Sequence, residues 1–136
     1  MLFKTDLITY EGVYRTIETE KLNLPTSEGR RTILANHMQI MMPLQIGIIE
    51  TKENGVLKHY AVNGGVLYFK DNVAEIVADS IVDVEEIDIE EAEREKAKEE
   101  EKLANARREN EKIRARNKLE VAENLLKAKK LYPDHE

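Results

Sequence analysis

Histidine is the side chain best suited to acid–base or metal chemistry near neutral pH, and this sequence carries three, His37, His59 and His135. None has metal-ligand spacing. His37 falls in a loop-like stretch, where an imidazole either packs locally or meets a partner. His59 falls in a strand-like run and His135 near the last residue. There is no cysteine, so thiolate nucleophiles, disulfides and thiolate metal sites are excluded. Gly64-Gly65 lacks the Lys-Ser/Thr pair and the opening helix that a phosphate loop requires, so a strand-joining turn is the fitting reading. Carboxylates crowd the last fifty residues, but a solvated charged helix shows the same pattern. With no nucleophile–base pair in view, an enzyme is the least supported class. Two features could instead contact a protein. Met38, Met41 and Met42 suit either an adaptable surface or a core. Arg107, Arg108, Lys112, Arg114, Arg116 and Lys118 form the densest positive run, either a solvated face or a contact for an acidic partner.

The elements that must carry these residues fall into two parts. Up to residue 84 there are eight Lys/Arg and eleven Asp/Glu; the remaining 52 residues hold thirteen and sixteen. The net charge is therefore equal in the two parts while the density of charged residues more than doubles. All six glycines lie at or before Gly65. We place a boundary here, with a first domain at residues 1–85 and a second at residues 86–136.

The first domain reads as strands. Residues 2–9 open as one. Leu22 and Leu24 alternate with polar neighbours, the period of a half-buried strand. Residues 25–29 read as a turn or loop. Asn54-Gly55 is a hairpin signal, because both central residues of a type I′ turn need positive φ. Lys70-Asp-Asn72 is another tight turn before a Val- and Ile-rich run. Turns at roughly ten-residue intervals indicate an antiparallel sandwich or barrel.

The second domain reads as helix. Ala, Glu, Lys, Arg and Leu dominate it, all good helix formers. Asp88 is the candidate cap, with Glu90 and Glu91 near the positive end of the helix dipole. Residues 90–102 are polar nearly all round, so that helix is marginal alone. Ala115, Leu119, Ala122 and Leu126 form a narrow apolar stripe. Asn105 and Asn110 favour a break between them and hence a helical hairpin, with one continuous helix as the rival. A tail held by so little apolar area suits a switch.

Composition also excludes partners. The formal net charge of -6 argues against nucleic acid, which needs a basic surface. No apolar run reaches the roughly twenty residues of a membrane span, and residues 1–6 are too poor in apolar side chains for a signal peptide. A soluble protein of a reducing compartment is expected.

Two segments go further. Thr26-Ser-Glu-Gly-Arg-Arg-Thr-Ile-Leu-Ala-Asn-His-Met-Gln-Ile-Met-Met-Pro-Leu-Gln-Ile-Gly47 and Val62-Asn-Gly-Gly-Val-Leu-Tyr-Phe-Lys-Asp-Asn-Val-Ala-Glu-Ile-Val-Ala-Asp79 resemble, in order and spacing, the signature stretches of the F-type ATP synthase epsilon subunit. The resemblance covers nearly the whole chain. It implies an N-terminal antiparallel β sandwich of about ten strands followed by a C-terminal α-helical hairpin. It implies a non-catalytic subunit of the central stalk, bound to the gamma subunit and the c-ring. There it would couple proton (sometimes sodium) flow to rotation and ATP synthesis. It also implies a tail that restrains ATP hydrolysis by extending into the alpha/beta catalytic head, and a peripheral place on the cytoplasmic face of a bacterial membrane, or the stromal side of a thylakoid.

Residue by residue, Ser27, Glu28, Gly29, Arg30 and the adjoining Arg31 match the turn that faces the c-ring, and His37 matches the loop histidine near that foot. Arg30 stands where relatives often have an acid, and Ala35 and Gln39 replace common prolines. The basic run from Arg107 through Lys118 would meet acidic surfaces of the head. Some relatives bind ATP between the tail helices through Ile-Asp-x-x-Arg-Ala. Here the run is Ile87-Asp-Ile-Glu-Glu-Ala92, with Asp88 kept and Glu91 in place of the arginine, and Val121 and Leu125 replace later arginines. Exchanging cations for a carboxylate and two aliphatics removes charge-assisted bonds to a triphosphate. No cofactor is expected, and ATP binding by the tail should be weak or absent. A nucleotide sensor and an unrelated sandwich adaptor are the alternatives.

Overall fold

The computed structural model describes residues 1–133, and His135 lies outside them. The chain divides into two compact units, Met1–Asp83 and Val84–Glu136.

The first unit has eight strands among the described residues: β1 (Phe3–Thr9), β2 (Gly12–Thr19), β3 (Lys21–Thr26), β4 (Gly29–Leu34), β5 (Ile40–Glu53), β6 (Val56–Lys70), β7 (Val73–Val77) and β8 (Ile81–Asp83). They hydrogen-bond in the order β2-β1-β7-β6-β5-β3-β4, with β8 also on β6. β2 lies against β5, and β1 against β8, without pairing; these are the contacts of two packed layers. β6 serves both layers. It pairs with β8 through residues 60–62 and with β7 through residues 66–70. The change of partner falls at Asn63-Gly64-Gly65. Gly65 has φ of 119°, and a Cβ there would lie 2.2 Å from the Val77 carbonyl oxygen, so only glycine lets β6 and the end of β7 approach this closely.

The strand count of about ten is corrected to eight. β5 and β6 have fourteen and fifteen residues and run unbroken where a bent strand would be counted twice. The sheet is also not wholly antiparallel, since β1 and β7 pair in parallel. Pro25 and Thr26 belong to β3, which leaves Ser27 and Glu28 as the turn. Proline is tolerated there because β3 pairs with β5 only through residues 21–23, so beyond Asn23 it is an edge. Asn54 and Gly55 have φ of 52° and 80°, and Asp71 and Asn72 have 50° and 60°, as type I′ turns require.

Alternate residues of each strand fill one core. Leu7, Leu22, Leu24, Ile33, Ile49, Tyr60, Leu67, Phe69 and Ile76 are fully buried in it. Phe3 meets Phe69 edge-on at 5.6 Å between centroids. Thr5 and Thr19, both buried, share a 2.7 Å hydroxyl–hydroxyl bond, which satisfies two polar groups that cannot reach water.

The second unit is a helical hairpin, α1 (Ile89–Asn105) and α2 (Glu109–Leu131), joined by residues 106–108. Asp88 caps α1 by accepting the Glu91 amide at 3.2 Å. The helices are antiparallel, since Lys129 near the end of α2 donates to the carbonyl of Val84, just before α1, at 3.2 Å. Ala115 and Ala122 are buried and Leu119 and Leu126 half-buried, so the stripe read from spacing is the one the fold covers.

Candidate functional site

The β3–β4 turn carries most of the sequence-derived contact residues of the first unit. Thr26 donates its hydroxyl to the Gly29 carbonyl at 2.6 Å and accepts the Glu28 amide at 3.3 Å. This local bonding shapes a two-residue turn, with Gly29 at φ of 102°. Ser27, Glu28, Gly29, Arg30 and Arg31 are all exposed. Arg30 is held along the strand: its Nε donates to Asn23 Oδ1, and a terminal nitrogen to the Asn23 carbonyl at 3.2 Å. Its charge is therefore presented from a braced position.

His37 does not join this group. β4 runs from Gly29 beside the turn to Leu34, which pairs with Lys21 at the far end of the hairpin, about 17 Å away by strand rise. The His37 amide donates to the Leu34 carbonyl at 3.3 Å. Its ring packs edge-on to Phe69 at 6.0 Å, and its Nδ1 lies 2.8 Å from the Met38 carbonyl. The neighbouring Asn36 amide donates to Asn72. This is a packed loop imidazole beside the β6–β7 turn. His59 pairs across strands with Glu50 at 2.9 Å.

An apolar row escaped the sequence reading. Pro43, Val66, Val77, Ile8 and Val13 lie side by side in register across β5, β6, β7, β1 and β2. Directly paired residues share a face, and here it is the outer one. Val13, Val66 and Val77 are 62%, 40% and 49% exposed. Met41 and Tyr68 extend the patch in the next row. Each strand alone shows only one apolar residue among polar ones; register makes the row. Of Met38, Met41 and Met42, Met42 is core, while Met38 and Met41 are exposed.

A second group missed by sequence is polar and joins distant strands. Arg15 on β2 donates to Asp83 on β8 at 2.7 Å and to the Tyr60 hydroxyl at 3.2 Å. Tyr60 in turn donates to Glu53 at 2.9 Å, which also accepts from Thr51. The Arg15 guanidinium lies over the rings of Tyr14 and Tyr60 at 5.2 and 5.5 Å. Burial lowers the affinity of Arg15 for its proton, yet the bonds to Asp83 and Tyr60 outweigh it and hold the group above its ordinary range. Burial, with the Glu53 carboxylate, raises the Tyr60 phenol against the opposing pull of Arg15.

In the tail, Arg107 and Arg108 stand exposed at the hairpin tip, Lys112 is half-buried, and Arg114, Arg116 and Lys118 are exposed. All six lie at one end of the hairpin, within the tip and the first ten residues of α2. Arg116 lies 3.9 Å from Glu109. Arg114 and Lys118, one turn apart, line a cleft of about 550 Å³ between the helices with Lys98 and Lys102. Glu99, Glu101 and Glu111 also line it, so four cations face three carboxylates. Asp88 is engaged as the helix cap. No group of three or more His, Asp or Glu among the described residues is arranged to hold a metal ion.

The family model described as the ATP synthase delta/epsilon chain beta-sandwich domain matches residues 2–84. The ATP synthase epsilon chain of Lactobacillus helveticus is 31% identical over 125 residues, covering 89% of this chain and 85% of that one. The chain belongs to the ATP synthase epsilon-chain family. An epsilon chain is a non-catalytic subunit of the F-type ATP synthase central stalk, in keeping with a site built for contact. The epsilon chain of Caldicellulosiruptor bescii is 34% identical over 85 residues, 62% of each chain. Among solved structures, a chain of the Euglena gracilis mitochondrial ATP synthase (OSCP/F1/c-ring) superposes with a TM-score of 0.76 at 25% identity, covering 93% of this chain and 81% of that one. A chain of the Tetrahymena thermophila central stalk and c-ring superposes at 0.63 and 17% identity, covering 92% and 94%, which is a likeness of fold. No helix among the described residues is long and apolar enough to cross a membrane.

Proposed function

We propose that this epsilon chain is the rotor element that joins the gamma subunit to the c-ring, and that its helical tail restrains ATP hydrolysis by entering the alpha/beta head. The observation that carries the reading is the contrast between the two units. The first is a densely packed sandwich with a braced exposed turn; the second is a charged hairpin whose buried positions are mostly alanine. Alanine contributes little apolar area, so the second unit is the one able to leave a resting arrangement at low cost.

Each surface suits a different partner. The outer apolar row at Pro43, Val66, Val77, Ile8 and Val13 offers a contiguous face of the kind that marks protein contact, and we assign it to the gamma subunit. The turn at Ser27, Glu28, Gly29 and Arg30, with Arg31, is assigned to the c-ring; the Euglena chain belongs to an assembly that contains one. The cations at the hairpin tip, Arg107 and Arg108, lead toward acidic surfaces of the head. The chain would then sit peripherally at the cytoplasmic face of a bacterial membrane, since relatives such as the Lactobacillus chain are bacterial. ATP binding by the tail is weak or absent, because Glu91 occupies the position of a phosphate-binding arginine and Asp88 is occupied as a cap.

Deleting residues 87–136 in the intact complex tests the reading. Assembly should persist and ATP hydrolysis should rise. Unchanged hydrolysis would remove the braking role and leave the rotor role standing. For ATP, calorimetry on the purified chain should show no micromolar binding.

A further inference from the structure

α1 and its C-cap carry a seam of inward positions at Ala92, Lys96, Glu99, Leu103 and Ala106, spaced by four and three residues in alternation. That spacing is the repeat of a helix pressed along a partner helix. Two of these residues are buried, Ala92 and Glu99. A carboxylate thus occupies the centre of a seam where an apolar side chain would pack. Glu99 is 2% exposed and lines the interhelical cleft beside Arg114, Ala115 and Lys118 of α2. Its one ion pair among the described residues is with Lys102 on its own helix, at 3.7 Å, and the Lys102 side chain is 51% exposed. The pair is therefore lopsided: the acid has lost its water and the base has kept its own.

We propose that Glu99 is a built-in weak point of the hairpin, a carboxylate whose burial favours separation of α1 from α2. Burying a charge costs more than is returned by one hydrated counter-ion at 3.7 Å and by Arg114 and Lys118, which line the same cleft from α2 without forming an ion pair with Glu99. Separation gives the carboxylate back to water and leaves Lys102 paired along the helix at i,i+3; the loss is the longer-range attraction to Arg114 and Lys118. The alanines around it add little apolar area to oppose that gain. Opening of the hairpin is thereby set close to balance, which a tail that must alternate between two states requires. The consequence for regulation rests on the braking role proposed above; the weak point itself does not.

The test compares Glu99→Leu, Glu99→Gln and the exposed control Glu100→Leu by amide hydrogen exchange on the full-length chain. Amides of the sandwich serve as the internal reference for folding. Glu99→Leu should slow exchange in α1 and α2 at least about tenfold, or about 1.4 kcal/mol. Glu99→Gln should shift it the same way by less, and Glu100→Leu should leave it within about twofold. Faster or unchanged exchange in both Glu99 variants would overturn the proposal. In the assembled complex Glu99→Leu should raise ATP hydrolysis, because the tail is held closed. Slowed exchange with unchanged hydrolysis would uphold the weak point and count against the braking role.

Discussion

The Arg15 guanidinium lies 2.7 Å from the Asp83 carboxylate, joining the second strand to the last residue of the first unit. Asp83 is 6% exposed, and its backbone N–H donates to the Tyr14 hydroxyl at 3.2 Å. The last strand is short, with three residues, and this side-chain clamp supplements its few ladder bonds. The tail begins where the clamp ends, so the pair anchors the point from which the tail departs.

Asp83→Asn should therefore destabilise the first unit by about 2 kcal/mol, because it removes the charge from the buried partner of the Arg15 guanidinium. Urea unfolding followed by circular dichroism would measure it. Arg15 is about one third exposed, so water limits the loss. An effect below about 0.5 kcal/mol would show that the clamp is ornamental.

Tyr60 sets an alkaline limit. Its phenol is raised in the folded chain above the ordinary value near 10. A raised value means that the folded state prefers the protonated form. That preference is fully present below about pH 10 and is lost as pH rises through the folded value. Stability should therefore fall above about pH 10, and Tyr60→Phe should flatten the fall relative to the unmodified chain. Urea midpoints between pH 9 and 12 for the two proteins would show equal slopes if Tyr60 were uninvolved.

Gly65→Ala should cost about 3 kcal/mol or more, since it combines a positive φ with a collision against the Val77 carbonyl. Gly12→Ala isolates the backbone contribution, because Gly12 has φ of 110° and open space where its Cβ would go. It should cost about 1 kcal/mol. Thermal midpoints rank the two, and equal shifts would mean that the close approach is not felt.

Asp88→Ala should fray the first turn of α1 at a cost of about 1 kcal/mol, by loss of the cap to the Glu91 amide. Hydrogen exchange at residues 90–92 would speed up while α2 stays protected. Exchange unchanged at those amides would show that water replaces the cap without loss.

Much of this molecule was legible one segment at a time. Asn54-Gly55 and Asp71-Asn72 announce their turns because positive φ is a property of the residue itself. Asp88 announces a helix start by its short acceptor side chain, and the hairpin breaks between Asn105 and Asn110 as their low helix propensity suggests. The family was readable for the same reason, since its signature is a run of adjacent residues. β2 gives no such local signal, because Val13, Tyr14, Arg15 and Thr16 alternate too weakly to stand out from a loop.

What only the tertiary structure decided depends on register between distant strands and on which helix face is covered. Arg15 and Asp83 are 68 residues apart, and nothing local selects one for the other. Val66 and Val77 become neighbours, and part of an exposed apolar row, only when β6 and β7 pair in one register and β1 adds in parallel. The signature histidine and the exposed turn, close in sequence, stand at opposite ends of β4 because a strand holds its residues extended. Glu99 looks like any other acid in a charged helix until α2 lies beside it. Composition and local conformational preference determine that this chain is a strand unit with a charged helical tail. Long-range packing determines which of its charges are clamped, which are spread on the surface, and which one is held away from water.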